Sequence, residues 1–380
     1  MSKMLIITRH YMDDNNGGSN ASKGFIWSFG YIYSDCTLIY PEHDGVDSSR
    51  FIPVSVKEVP VFDHRSKLRK GLDVYRGRLH RFVDFVKDYL KHEKYDVIVL
   101  DHSVTAAGLI DTVKKSGAKV VTLHHNVEAD YIKDNESSLL YRIPYDYFAI
   151  KAEKDALRLS DINLTLTRND ASVFQKWFEG RNLHLHAVGI CEYLWKPYMS
   201  FPKTSASNTF VISGSLCFKQ SAFPILEFIR RFYPIMQNVS PGCKLIVTGR
   251  NPCTEIVNAC KIQGIELISN PDNMDDIIKR ASVYICPINA GSGIKLRVMD
   301  GLKRGMPVIC HKVSSVGYET LEKGGALFVY DDEESFKKAL QQVASKHFSA
   351  DEIYSLYRRE FSFMSGVNRL KEVLAEEGVL

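Results

Sequence analysis

Val283-Tyr-Ile-Cys-Pro-Ile-Asn-Ala-Gly-Ser-Gly-Ile-Lys-Leu-Arg-Val-Met-Asp-Gly-Leu-Lys-Arg-Gly-Met-Pro-Val-Ile309 holds the decisive pattern of this chain. An apolar run closes at Pro287, a small-residue loop follows, an amphipathic segment begins at Ile294, and Gly305-Met306-Pro307 leads into a second apolar run. That order predicts strand, glycine loop, helix, strand. Such a loop gathers backbone N–H groups and the positive end of a helix dipole at one point, which suits a phosphate. Lys295, read as one residue into the helix, adds a full charge there. A glycine turn used only for tight packing has the same local sequence, so the rest of the chain must decide.

Short apolar runs alternate with helical periodicity from end to end. Met4–Thr8, Val97–Leu100 and Lys119–Leu123 read as strands, with Asn16-Gly17-Gly18-Ser19 as a loop after the first. Residues 72–91 and 106–115 carry helical spacing. From Phe210 a second series starts, with strands at 210–212, 244–248, 266–268 and 283–287 and helices at 221–236, 253–263 and 274–281. This βαβα order predicts an α/β protein of two doubly wound, Rossmann-like domains facing a cleft, with ligands at the carboxyl ends of the strands. The stretch from Trp195 to Asn208 is polar, carries Pro197 and Pro202 and has no period, so it reads as the linker. The expected domains are residues 1–195 and 208–355, with residues 356–380 forming a C-terminal helix that packs back toward the first.

Bulk properties narrow the class. At 380 residues the chain has material for two cores, on a prior of about 150 residues each. A net charge of +4 gives no case for a nucleic-acid binder. The eight cysteines are scattered without a C-x-x-C pair, which fits buried free thiols in a reducing cytoplasm rather than a disulfide or zinc framework. No apolar run reaches the length of a membrane span, and the N-terminus reads as a buried strand rather than a signal peptide.

Read in order, Ile212-Ser-Gly-Ser-Leu216, Ile246-Val-Thr-Gly-Arg-Asn-Pro252, Pro271-Asp272, Cys286 to Lys295, Val298 to Val308 and Ser315-Val-Gly317 form one series. That series resembles the donor-binding domain of GT-B glycosyltransferases of the family 4 type. The likeness is strongest over residues 210–320. In the first half it rests on Gly17-Gly18, Asp101-His102 and His124-His125-Asn126-Val127-Glu128. The resemblance implies a metal-independent hexosyltransferase that moves a sugar from a nucleotide diphosphate donor to a glycan or lipid-linked acceptor. It implies retention and a place in surface polysaccharide or glycoconjugate synthesis. The donor is a co-substrate, no cofactor is expected, and no Asp-x-Asp motif occurs.

Without a metal, fixed N–H groups and cations must stabilise the leaving diphosphate. The resemblance assigns this to Gly214, Ser215, Lys219, Arg250, Gly291, Ser292, Gly293, Ile294 and Lys295, with Gly17 and Gly18 from the other domain. Asp300 stands where the family commonly has a ribose-binding glutamate, and Ser292 where its paired glutamate is expected. Histidines that follow strands can contact the donor sugar or carry the acceptor proton. His125 ranks first, then His124 and His102. Glu128 and Asp130 either orient an acceptor or simply begin a helix. Residues 64–94 hold ten Lys/Arg against four acids, with Phe82, Phe85, Val86, Tyr89 and Leu90 among them. That composition predicts contact with an anionic membrane at its inner face. The competing readings are a nucleotide-sugar epimerase or phosphorylase on the same fold and a non-catalytic glycan- or nucleotide-binding scaffold. A dinucleotide oxidoreductase is disfavoured, because no G-x-G-x-x-G follows the first strand.

Overall fold

The computed structural model describes residues 2–14, 16–80, 82–133, 139–193, 208–217 and 219–380, so most of the expected linker lies outside the described residues. The chain divides into two compact units, Met1–Trp195 with Phe361–Leu380, and Lys196–Glu360.

The first unit is built on a seven-stranded parallel sheet. Its strands are β1 (Lys3–Thr8), β2 (Asp35–Glu42), β3 (Val56–Phe62), β4 (Val97–Asp101), β5 (Lys119–His124), β6 (Ile162–Thr165) and β7 (Leu185–Ala187). They lie in the order β3-β2-β1-β4-β5-β6-β7. β4 is buried along its whole length, as expected of a strand covered by helices on both faces. Leu5, Ile7, Ile98, Leu100 and Val120 share one core with Phe82, Val86 and Val113 from flanking helices. The strand order reverses between β1 and β4, so their carboxyl ends, Thr8 and Asp101, border the crevice where such sheets take ligands.

The second unit repeats the plan with six parallel strands. These are β8 (Thr209–Ser215), β9 (Lys244–Arg250), β10 (Glu266–Ser269), β11 (Val283–Cys286), β12 (Val308–His311) and β13 (Leu327–Tyr330). Their order is β10-β9-β8-β11-β12-β13, with the reversal between β8 and β11. A core of Phe228, Phe232, Phe336 and Tyr330 packs with Ile212, Val247 and Ile285 on one face.

Two expected elements are corrected. The segment after the 290–293 loop becomes helical at Arg297, in the helix Arg297–Leu302, rather than at Ile294, so Lys295 precedes the helix. The Gly17-Gly18 "loop" is the first turn of the helix Gly17–Ile32, capped by Asn16, whose side chain accepts from the Ser19 N–H.

The last helix, Phe363–Glu376, belongs to the first unit. Arg369 donates to the carbonyls of Val188 (2.7 Å) and Ile190 (3.1 Å), Glu377 takes His186 Nε2 at 2.6 Å, and the Tyr33 hydroxyl donates to the Val379 carbonyl. Arg369→Ala should therefore leave two carbonyls short of donors, costing about 2–3 kcal/mol. Hydrogen exchange should show faster opening of residues 363–376, and unchanged protection there would sink the assignment.

Candidate functional site

The carboxyl ends of β1, β4 and β5 converge on a buried ionisable cluster. Asp101 closes β4 and is 1% exposed. It accepts the Thr8 hydroxyl at 2.6 Å and His125 Nε2 at 2.7 Å. Burial opposes its charge, yet His125 and its hydrogen bond hold the carboxyl down at about 2. An ionised carboxylate can only accept, so Nε2 of His125 carries the proton. Nδ1 of the same ring is buried and meets no partner. A buried ring nitrogen left unpaired beside an oriented carboxylate is what a base awaiting a hydroxyl requires.

His102 sits at φ +76°, ψ 131°, a region that costs a non-glycine residue roughly 1–3 kcal/mol. Its Nδ1 accepts the Val104 N–H, so Nε2–H faces Glu128 Oε1 at 3.2 Å. Burial, then the Arg9 charge, pushes this imidazole well below its usual range. His10 completes the group, stacked on His125 (5.5 Å between ring centres) and edge-on to His102 (5.6 Å). Burial, then His125, lowers His10 to about 3, and its buried Nε2 has no partner. Gly18 lies against the ring: a Cβ there would stand 2.7 Å from His10 Cε1.

Behind these histidines lie two buried carboxyls. Glu128 opens the helix Glu128–Lys133, one of the two roles read from sequence, and its carboxyl faces His102. Glu153, on the helix Leu139–Leu159, accepts the Glu128 N–H through both oxygens and the Ser103 hydroxyl. Burial, then the Glu153 charge, raises Glu128 to about 7. Burial, with the Asp170 and Asp130 charges, carries Glu153 to about 8 against the pull of its hydrogen bonds. His124 is fully buried, donates from Nε2 to Asn163 Oδ1 at 3.0 Å, and packs on Phe174. Asn163 spends its amide on the Leu157 and Leu183 carbonyls, which leaves its oxygen as the acceptor. The structure thus brings His125 and His102 together beside His10, with His124 behind them against Glu153 and Asn163.

In the second unit the predicted residues gather at the ends of β8 and β9 and in the loop after β11. Ser215 and Arg250 face each other in register, with the Arg250 side chain exposed. Gly291 and Gly293 both take positive φ, +86° and +70°, which lets the loop fold tightly. The Lys295 ammonium turns back onto that loop and donates to the carbonyls of Gly291 (2.8 Å) and Ser292 (2.6 Å). Its own carbonyl takes the Tyr318 hydroxyl at 3.0 Å. Ile294 is partly buried beside it. Asp300 bonds Lys303 at 2.8 Å; burial opposes ionisation, and Lys303 and Arg304 overcome it, keeping the carboxyl below its usual range. Lys219 opens the helix Lys219–Glu227, and its side chain lies outside the described residues.

One cation escaped the sequence reading. Arg297 lays its guanidinium on Gly214, where a Cβ would fall 2.1 Å from Arg297 Cζ. Its Nη1 is buried without a partner. The bare backbone of Gly214 is what lets an arginine reach the end of β8. His10, Glu153 and Arg297 were each findable. His10 follows β1 as His102 follows β4, and Glu153 interrupts the apolar face of Ala149, Ala152 and Ala156. Arg297 lies two residues beyond Lys295, on a helix face that passes for solvated.

Residues 207–346, within the second unit, match the family described as glycosyl transferases group 1. The two-sheet architecture is the GT-B fold. It is similar to the lipopolysaccharide outer core galactosyltransferase WaaB, with TM-score 0.67, 13% identity, and 99% of each chain covered. It is also similar to a sucrose-phosphate synthase from Thermosynechococcus elongatus, with TM-score 0.69, 12% identity, and 98% of each chain covered. Anabaena Alr3699/HepE, solved with UDP, gives TM-score 0.68 at 11% identity over 98% of this chain and 100% of that one. By sequence the chain is 23% identical, over 77% of its length and 70% of the relative's, to an uncharacterized 44.6 kDa protein in the cps region of Klebsiella pneumoniae.

The buried carboxyls set a pH dependence. The folded chain retains protons on Glu128 and Glu153 that the unfolded chain releases above about pH 4.3. Their contribution to stability is therefore complete below that pH and drains away as pH rises through 7 and 8. Melting temperature should fall between about pH 4.3 and pH 8 and level off above it, and Glu153→Gln should flatten the fall. A variant with the wild-type slope would exclude Glu153 as the source.

Proposed function

We propose that this protein transfers a sugar, with retention and without a metal, from a nucleotide diphosphate donor to a hydroxyl of a glycan or lipid-linked glycan. The observation that carries the reading is Arg297, a cation with a buried, unpaired Nη1 laid over the bare backbone of Gly214. An unpaired buried guanidinium nitrogen is costly unless a ligand anion completes it, and arginine matches phosphate oxygens in pairs. In this reading Arg297 takes the diphosphate charge that develops as the anomeric bond breaks, helped by Arg250, Ser215 and the N–H groups of Gly291–Gly293. Lys295 shapes that loop and adds charge beside it. Asp300, kept ionised by Lys303 and Arg304, accepts from the ribose hydroxyls. In the first unit His125, oriented by Asp101, and His102, oriented by Glu128, handle hydroxyl groups of sugar and acceptor.

Neighbours of the same fold support the donor class, since one was solved with UDP and another, a starch synthase from Arabidopsis thaliana, with ADP and acarbose. The relative placed in a cps region supports surface polysaccharide as the product. The proposed setting is the cytoplasm, at the inner face of the membrane.

Thermal shift with nucleoside diphosphates and nucleotide sugars tests the donor site, because a ligand of the native state raises its melting temperature. Wild type should respond to one base. Arg297→Ala should lose the response while melting near wild type, whereas Lys295→Ala should lower the unliganded melting temperature as well. His125→Ala should keep the response and lose about 10²–10⁴-fold in turnover. No response to any nucleotide would refute the donor reading.

A further inference from the structure

The helix Leu139–Leu159 has two unlike faces. Its inner side carries Glu153 into the histidine cluster. Its outer side carries Ile143, Tyr147, Ile150, Lys151, Lys154 and Arg158, the i, i+4, i+7, i+8, i+11, i+15 spacing of a single stripe. The stripe is graded, apolar in its first half and basic in its second. Ile143 is 66% exposed and Tyr147 62%. An open groove of about 470 Å³ runs along it, walled by Tyr147, Ile150 and Phe178 and rimmed by Lys151, Lys154, Asp155 and Arg158. Three cations against one carboxylate leave the rim at +2, with Asp155 shared by Lys151 and Arg158.

The helix Lys67–Tyr75 packs beside this one. It turns outward Leu68 (76% exposed), Leu72 and Tyr75 (59%), again at i, i+4, i+7. Just past its end, Gly77 rests on the ring of Phe148, the neighbour of Tyr147. Within the basic segment 64–94, several cations have acidic partners. Arg65 pairs with Asp63 and Asp73, Lys70 with Asp63, Arg78 with Asp84 and Lys91 with Asp88. Phe82, Val86 and Leu90 face the core. Part of that segment's charge is thus engaged by neighbouring acids, and its outward apolar stripe lies on the helix Lys67–Tyr75 rather than on Val83–His92.

We propose that these two helical faces dock the protein on an anionic lipid bilayer. Leu68, Leu72, Tyr75, Ile143 and Tyr147 enter the interfacial zone, and Lys151, Lys154 and Arg158 meet lipid phosphates. Isolated exposed leucines are ordinary, but a helical stripe that passes from apolar residues into a cationic rim is the pattern of a helix lying in the plane of a membrane. Tyrosines hold the boundary, where a ring that is apolar at one end and polar at the other is best placed. The proposal extends the reading of a lipid-linked acceptor by naming the surface that meets the bilayer. It does not depend on the donor site.

The full-length chain, mixed at low salt with vesicles of phosphatidylglycerol and phosphatidylcholine, should co-sediment, and should remain in solution with phosphatidylcholine alone. Lys154→Gln/Arg158→Gln should weaken partitioning roughly 25-fold, about fivefold for each cation near the surface. Ile143→Glu/Tyr147→Glu should abolish it. Excess glycerol 3-phosphate should not displace the protein, since a bilayer and not a lone headgroup is the occupant. Circular dichroism melts confirm that the variants fold. Absence of binding to anionic vesicles, equal binding to neutral ones, release by glycerol 3-phosphate, or wild-type binding by either variant overturns the proposal. Nucleotide thermal shift, run in parallel, reports separately on the donor reading.

Discussion

A buried carboxylate at the end of β4 is the constraint on which the first unit's site depends. Asp101 is ionised where water does not reach it, so its charge has to be met by the protein. Thr8 meets it from β1 and His125 from the end of β5. These bonds tie together the ends of three adjacent strands at the point where the sheet reverses its order. The orientation of His125 follows, then the stacking of His10 upon it, then the room that Gly18 leaves for that ring. Removing the carboxylate would leave a buried imidazole without its acceptor and the Thr8 hydroxyl without its partner.

The second unit meets the same problem with the opposite sign. Its loop after β11 presents carbonyl oxygens inward, and Lys295 satisfies them. Arg297 is left with a nitrogen unspent. A glutamate at position 292, where the resemblance leads one to expect it, would add a negative charge to a loop already engaged with Lys295. Serine there adds no charge.

The layered fold was legible because parallel strands buried on both faces appear as unbroken apolar runs, as in Val97–Asp101 and Val283–Cys286. Helix limits were less legible. Ile294 shares a helical period with Val298 and Leu302, yet the Tyr318 hydroxyl takes the Lys295 carbonyl and Lys295 bonds its own loop, so the helix waits until Arg297. Residues 72–91 read as one amphipathic run, but Gly77 breaks it into two helices with different orientations toward the core. Site histidines could be listed from their place after strands and not sorted. His124 and His125 are adjacent in sequence; a pairing with Asn163 takes one into the core, and a pairing with Asp101 takes the other into the cluster. Both partners are distant in the chain, and no local pattern carries that information.

The helix Leu139–Leu159 shows why such a chain resists reading by hydropathy alone. A helix with one buried face normally shows a clear period, with its charges on the outside. Here Glu153 occupies the buried face, because the site needs a carboxyl behind Glu128, while Ile143 and Tyr147 occupy the exposed one. The two exceptions cancel the period that would have marked the helix. Each breaks the rule of polar outside and apolar inside, and local breaches of that kind are expected where function outweighs packing. A solvated surface gives no reason to hold isoleucine and tyrosine outward in a line that ends in three cations. A bilayer does, and the helix that would lie on it also carries the acid that supports the histidine cluster.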